Sequence, residues 1–349
     1  MISTVLAEKI KVIDPDLKAL ASGDGTIFLS PGMQGRIYCA VEDELVSKLD
    51  FPLAANPTPD FNNIGGNSLW PAPEGGDFAY NYPPNGEWYV QKDINSKPFT
   101  LVSNSKNKIV ISRDINLLNR KGIEVKMTMS RSISLLQNRF TDLDPRVRTI
   151  AYRTLDKFTM SETYSADHVL IGAWSLEQFD MDENIVSFGI FDYGDVSVKS
   201  LNTDFYADPT DSLAFAPNVF SFKIGGPARK QIALHKNASP RMIGAYIPSQ
   251  NLWILRCNRL VSDGIYFNIA DNEQPDGPFS GADTYSIFNG AEQLGFFELE
   301  TIAPMSVGKK NTVGGSTLGS ETYFFKGDSE YIVPFMKNFL NVNSIPFIF

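Results

Sequence analysis

Histidine is nearly absent from this 349-residue chain, which has only His168 and His235. Two histidines cannot build the usual His-rich zinc cluster, and no HExxH segment occurs. Cysteine is as scarce. Cys39 and Cys257 allow at most one disulfide and no disulfide framework. Two buried free thiols in strands is the reading carried forward, since free cysteine behaves as a small buried hydrophobe. Basic charge is also short: 31 Lys and Arg stand against 40 Asp and Glu, a net charge of −9. No Lys/Arg cluster suits a phosphate backbone, which argues against nucleic acid, anionic membrane or polyanionic glycans as partners. No apolar run is long enough to span a bilayer. The N-terminal MISTVLAEKIKVIDPDLKAL lacks the basic start, apolar run and small-residue cleavage site of a signal peptide. As written the chain reads as cytoplasmic, and as periplasmic or secreted if a signal has been removed. No motif demands a cofactor. GGSTLGS (314–320) lacks the Lys and following helix of a phosphate loop, and no G-x-S-x-G elbow is present. DMDEN (180–184) opens like a calcium loop, but Ile185 and Phe191 stand where the turn Gly and the bidentate Glu belong. No feature sets an oligomeric state.

Aromatic and turn-forming residues are abundant: 25 Phe, 13 Tyr, 4 Trp, 26 Gly and 21 Pro. Such a composition favours many strands joined by tight turns over a helical bundle. Large all-β folds of this length often form one unit, and no linker, repeat or low-complexity run divides the chain, so 1–349 is read as a single domain. Within it, 1–24 is an N-terminal extension or edge segment, where a short helix and an edge strand both fit. GIEVKMTMSRSISLL (122–136) and RVRTIAYRTLDKFTM (146–160) alternate with period two, as half-buried strands do. FTLVSN (99–104) and KIVISRDI (108–115) read as a hairpin. HVLIGAWSLEQF (168–179) reads as a central strand, with further strands at SVKSL, FSFKIG, RMIGAYI, LWILRCN and GIYFNIA. EYIVPFMKNFLNV reads as a short helix. Residues 51–86, rich in Pro, Gly and Asn, read as a long ordered loop, and loops of that length are usually functional.

Three segments carry candidate chemistry. NIGGNSLWPAPEGGDF (63–78) brackets Trp70 and Glu74 with two Gly-Gly pairs. Proline limits the backbone there while glycine permits close approach. A sugar site needs an aromatic face for C–H surface and carboxylate or amide groups for hydroxyls, and Trp70, Glu74 and Asn67 offer these. A structural Ω-loop whose Trp plugs the core fits equally. FFELETIAP (296–304) places Glu298 and Glu300 two apart, on one face of a strand. Paired carboxylates repel, so one pKa should rise, as suits a general acid or base. The competing reading is a solvated outer face with Phe297, Leu299 and Thr301 turned inward. DHVLIGAWSLEQFD (167–180) puts His168 and Trp174 on one face by parity, where both read as structural as readily as functional.

PGMQGRIY (31–38), GGNSLWPAPEGGDF (65–78), TIAYRTLDKFTMS (149–161), VLIGAWSLEQF (169–179) and LGFFELETIAP (294–304) occur in an order that resembles an uncharacterised bacterial family of the galactose-mutarotase-like superfamily. The likeness extends over about residues 25 to 327, with PGMQGR and the Pro-Glu-Gly-Gly loop its specific parts. It implies an all-β β-supersandwich of two large antiparallel sheets that holds a small-molecule carbohydrate on a concave face. In the related aldose 1-epimerases a Glu base lies in a Leu-Glu-Thr strand near the C-terminus. Leu299-Glu300-Thr301 resembles it, which implies Glu300 as base or hydroxyl anchor with Glu298 beside it. The epimerases' His acid has no counterpart in Gly172–Leu176, leaving His168 or His235 as stand-ins, or a Tyr or Lys. Asn67-Ser68 occupies a stretch where relatives often carry Arg, so Arg36 or Arg229 would supply the cation. The resemblance thus implies either an enzyme acting at the anomeric carbon of a neutral sugar or glycoside, or a non-catalytic carbohydrate-binding or sensing protein on the same fold. Substrate contacts would come from Trp70, Glu74, Asn67, Trp174, Arg36, Arg229 and His235.

Overall fold

The computed structural model describes residues 4–82, 87–137, 140–260, 263–266 and 283–349. Two large antiparallel sheets dominate it. The first runs in spatial order Lys18–Ala21, Gly25–Ser30, Arg36–Val41, Asn67–Ala72, Gly172–Asp180, Phe296–Ala303, Asp283–Asn289, Lys230–His235 and Leu201–Asn202, with Glu44–Leu45 attached to Arg36–Val41. The second runs Leu213–Ala216, Val219–Lys223, Val186–Phe191, Pro240–Ile247, Leu252–Asn258, Val313–Lys326, Arg148–Met160, Glu124–Leu135, Lys108–Leu118 and Thr100–Asn104, with Met305–Val307 at its side. The expected all-β two-sheet sandwich is therefore the observed one. Its elements follow the period-two signal: Glu124–Leu135 alternates buried and half-exposed positions along its length. Cys39 and Cys257 are both free and buried. Among the described residues no helix is long and apolar enough to cross a membrane.

Between the sheets lies an apolar core that includes Ile37, Leu69, Phe179, Phe297, Leu299 and Phe324. Phe179 of one sheet meets Phe324 of the other edge-on at 6.2 Å. The layer also contains a belt of buried charge. Arg131 pairs with Asp156 at 2.9 Å, with neither side chain exposed. It also crosses the layer to the Asn67 side chain at 2.5 Å and to the carbonyls of Gly35 and Asn67, each at 3.0 Å. Glu177 accepts from Tyr152 at 2.7 Å and Thr322 at 2.9 Å and lies 3.6 Å from Arg256. Arg256 also donates to the Ser175 hydroxyl at 2.6 Å. Buried charges persist only when paired and hydrogen-bonded, and here two cations meet two carboxylates.

Three expectations change. Asn67–Ala72, read as part of a loop, is a wholly buried strand beside Gly172–Asp180. Its other neighbour, Arg36–Val41, meets it only at Ile37↔Asn67, so Pro71 can sit where no partner strand needs its missing N–H. The predicted strand from His168 begins instead at Gly172, and His168 lies in an exposed turn. SVKSL forms a short 3-10 turn, Val198–Ser200, before a two-residue strand. Of GIYFNIA, residues 267–270 lie outside the described residues, and Ile265 makes a single bridge to Met305. The N-terminal segment supplies both of its alternatives, a helix at Thr4–Lys11 and an edge strand at Lys18–Ala21. The C-terminal helix, Ser329–Leu340, buries Ile332, Met336 and Leu340.

The PGMQGR turn has a local explanation. Gln34 and Gly35 both adopt positive φ, at 60° and 67°. The turn is pinned by the Asp14 carboxylate, which accepts from the Ser30 hydroxyl and, at 2.9 Å, from the Gly32 N–H. The Gln34 side-chain oxygen then receives Arg36 through Nε at 3.1 Å and Nη2 at 2.8 Å. A Cβ on Gly35 would lie 2.5 Å from the Phe99 ring. Gly35→Ala should therefore cost roughly 1–3 kcal/mol, combining left-handed backbone strain with overpacking. Urea denaturation of the variant beside the wild type tests this, and an unchanged midpoint would refute the strain argument.

Candidate functional site

The strands of the first sheet that carry the inter-sheet belt on one face carry a cavity on the other. Asn67, Ser175, Glu177 and Leu299 turn inward to the second sheet. Their neighbours Ser68, Trp70, Trp174, Leu176, Gln178, Glu298 and Glu300 therefore turn outward, and all of them line a cavity of about 160 Å³. Register places Leu176 opposite both Ser68 and Glu300, and Gln178 opposite Glu298. Arg36, Gln231 and Phe288 extend this floor across adjacent strands. Phe61, Asn63, Glu74, Trp88, Tyr206, Leu294 and Phe296 complete the lining.

The solvated outer face considered for Glu298 and Glu300 is not what forms: they are 6% and 1% exposed. Burial pushes the Glu298 carboxyl from 4.5 to about 7, opposed by hydrogen bonds from Gln178 and Glu300 and by the charges of Arg36 and Arg256. Glu300 is driven well above the carboxylate range, first by burial, then by Glu298 and Glu74, with the Trp174 indole opposing. The two carboxyls share one buried site and titrate as a pair, with Glu300 raised further because it also faces Glu298 and Glu74. Each also has a fixed donor: Trp174 Nε1 reaches Glu300 at 3.0 Å, and Gln178 Nε2 reaches Glu298 at 2.6 Å. Arg36, 1% exposed, gives Nη1 to the Gly65 carbonyl at 2.6 Å, and burial pulls its guanidinium to about 10.

Four aromatic rings form one wall. Trp174 meets Trp70 at 6.2 Å, Trp70 meets Phe61 at 5.3 Å, and Phe61 meets Trp88 at 5.8 Å, all edge to face. Trp88 Nε1 donates to Glu74 at 2.9 Å, tying the wall to the Pro-Glu-Gly-Gly loop. Gly66 makes the crossing possible. It has φ +72°, and a Cβ there would lie 2.6 Å from Tyr38 and 2.7 Å from the Ile37 carbonyl.

Of the residues singled out from sequence, Glu298, Glu300, Trp70, Glu74, Trp174 and Arg36 converge on this cavity. Asn67 does not line it, because strand parity turns its amide to Arg131, Tyr152 and Glu177. Arg229 stands behind the lining, its guanidinium 5.0 Å from the Tyr206 ring centroid. His235 sits beyond a register shift at the end of the Lys230–His235 strand, with Nδ1 2.9 Å from Asp283, outside the lining. Asp283 raises the His235 pKa by hydrogen bonding, against partial burial. Sequence reasoning missed Gln178 and Tyr206. The first follows Trp174 and Leu176 in alternation and was legible. The second lies in an aperiodic stretch with no signal. Burial, then Glu74, raises the Tyr206 hydroxyl, so it remains a proton donor.

No curated protein matches the chain. Solved structures that it resembles include a galactose mutarotase-like protein from Lactobacillus casei, at 10% identity and TM-score 0.49, covering 89% of this chain and 99% of that one. A galactose mutarotase related enzyme from Lactobacillus acidophilus matches at 11% identity and TM-score 0.45, over 89% and 97% of the two chains. A provisionally assigned aldose 1-epimerase from Escherichia coli K12 matches at 12% and 0.44, over 89% and 98%. Likenesses of this size describe a shared outline only. The sequence-family comparison is decisive about membership: residues 6–345 match a family of unknown function, DUF6786, and the chain belongs to that family.

Proposed function

We propose that the cavity binds a neutral sugar or glycoside and that Glu298 and Glu300 move protons at its anomeric centre. The observation that carries this reading is the pair of buried carboxyls, Glu298 and Glu300, lining one cavity with Trp174 and Trp70. An aromatic face suits the C–H surface of a sugar ring, and the carboxyls, Gln178 and Arg36 suit its hydroxyls. In the proposed step, ionised Glu298 takes the proton of the anomeric hydroxyl. The ring C–O bond breaks as a carbonyl forms, and Glu300 protonates the departing ring oxygen. Rotation of the open chain and the reverse steps give the other anomer, with no net oxidation or reduction. The acid–base assignment follows from the two environments: burial raises both carboxyls, and Glu300 also faces the charges of Glu298 and Glu74, while Arg36 and Arg256 favour ionised Glu298.

A second reading is a non-catalytic sugar receptor. It is favoured by the absence of histidine from the lining among the described residues. The two readings separate in one experiment. Anomerisation of a panel of neutral monosaccharides is followed by polarimetry, with thermal-shift binding of the same sugars alongside. Turnover above the buffer rate supports the enzyme. Saturable binding with no turnover selects the receptor. No midpoint shift with any sugar removes both.

A further inference from the structure

The opposite side of the sandwich carries a second cavity, of about 930 Å³. Thr322 and Ser320 of the Val313–Lys326 strand bond inward, to Glu177 and Thr301, so Glu321 and Tyr323 face outward there. Register places Glu321 between Arg153 and Cys257. The Glu321 side chain is 3% exposed and accepts Arg153 Nε at 2.9 Å, Arg259 Nε at 2.6 Å and the Tyr323 hydroxyl. A nearly enclosed carboxylate thus holds two arginines whose side chains stay half exposed, at 54% and 53%. The bonds to Glu321 and Tyr323 engage Nε and Nη2 of each, and an arginine has five N–H donors in a fixed fork. Lys106, from the turn before the Lys108–Leu118 strand, lines the same cavity.

A purely structural ion pair needs one cation. Here two arginines hold one carboxylate and Lys106 lines the same cavity, so the described lining carries three cations and one carboxylate on a chain whose net charge is −9. Like charges so placed repel unless an anion joins them. Leu135, Leu136 and Phe140 form an apolar wall beside them. We propose that this cavity binds a small organic phosphate, its dianionic group held by Arg153, Arg259 and Lys106 and its apolar body against Leu135, Leu136 and Phe140. Arginine forks match phosphate oxygens in pairs, and a dianion balances the surplus. The site is independent of the sugar reading, because the two sheets separate it from Glu298 and Glu300.

Phenyl phosphate is the probe, titrated calorimetrically into the full chain at low salt. Saturable binding with a Kd below about 1 mM is expected. Arg259→Gln and Lys106→Gln should each weaken it at least tenfold. Lys106 sits in an exposed turn, so its replacement reports on binding without disturbing the sheet. Benzoate, a monoanion with the same ring, should bind at least tenfold more weakly than phenyl phosphate. No saturation by about 10 mM, wild-type affinity in either variant, or parity between benzoate and phenyl phosphate overturns the proposal.

Discussion

Glu298→Gln is expected to reduce anomerisation by about 10²–10⁴-fold, the range that positioned acid–base groups contribute, while sugar affinity changes little. The pH dependence should change as well. If Glu298 must be ionised to act, the wild-type rate rises as pH passes through about 7. It falls again only where Glu300, driven far above the ordinary carboxylate range, gives up its proton. The Gln variant should lose the rising limb. Glu300→Gln should keep that limb near the same pH, because protonated Glu300 places no charge beside Glu298 and the Gln amide retains a hydrogen-bond donor there. Steady-state rates from pH 5 to 9 on all three proteins decide this. A rising limb that survives in Glu298→Gln would assign the base elsewhere, with Glu300 first and then Glu74 and Tyr206 to examine.

The same shift has a stability consequence of opposite sense to that of a salt-bridged carboxylate. Folding raises the Glu298 pKa from 4.5 to about 7, so the native state favours its neutral form. The stabilisation is complete below pH 4.5 and is lost as pH rises to 7. Over that window it is on the order of 3 kcal/mol. Glu298→Gln should therefore match the wild type in stability near pH 4 and exceed it at pH 8. Urea denaturation at both pH values measures the difference, and a constant offset would mean that the carboxyl is not perturbed by folding.

Much of this site was visible in the strand alternation. Phe297, Leu299 and Thr301 turn inward as FFELETIAP predicts, and the same parity delivers Glu298 and Glu300 to one side. Whether that side is wet or dry was not legible. The cover comes from Phe61, Trp88 and Tyr206, residues of aperiodic segments whose position is set by tertiary packing. The opposite orientations of Asn67 and Trp70 had a similar cause. Read as a loop, NSLWPA has no faces, whereas as a strand it sends Asn67 inward and Trp70 outward. Its proline obscured the strand, because the tolerance of Pro71 depends on a neighbour that pairs at only one residue, and glycines flank the strand on both sides. His235 misled for a related reason: a register shift at Leu234/His235 breaks the alternation that would project it from Gln231.

The largest stability effect is expected away from the cavity, at Arg131. Its guanidinium is fully enclosed and joins Asp156 of its own sheet to Asn67 and the Gly35 carbonyl of the other. Arg131→Met leaves Asp156 buried without its cation, which should cost about 3–5 kcal/mol. Replacing both partners, with Asp156→Leu added, removes the stranded charge and should recover most of that loss, since buried ion pairs often exchange for apolar residues at little net cost. Binding should not recover in parallel. Gly35 and Asn67 are the chain neighbours of Arg36 and Ser68, which line the cavity, and Arg131 ties both to the second sheet through their carbonyls and the Asn67 amide, with Tyr152 adding one bond to that amide. The double variant should thus regain its urea midpoint yet bind sugar about tenfold more weakly than wild type, since misplaced polar contacts cost on the order of 1 kcal/mol or more. Equal recovery of stability and affinity would show that the belt serves only the fold. Persistent weak binding in a stable protein would show that the buried arginine sets the geometry of the cavity floor from behind.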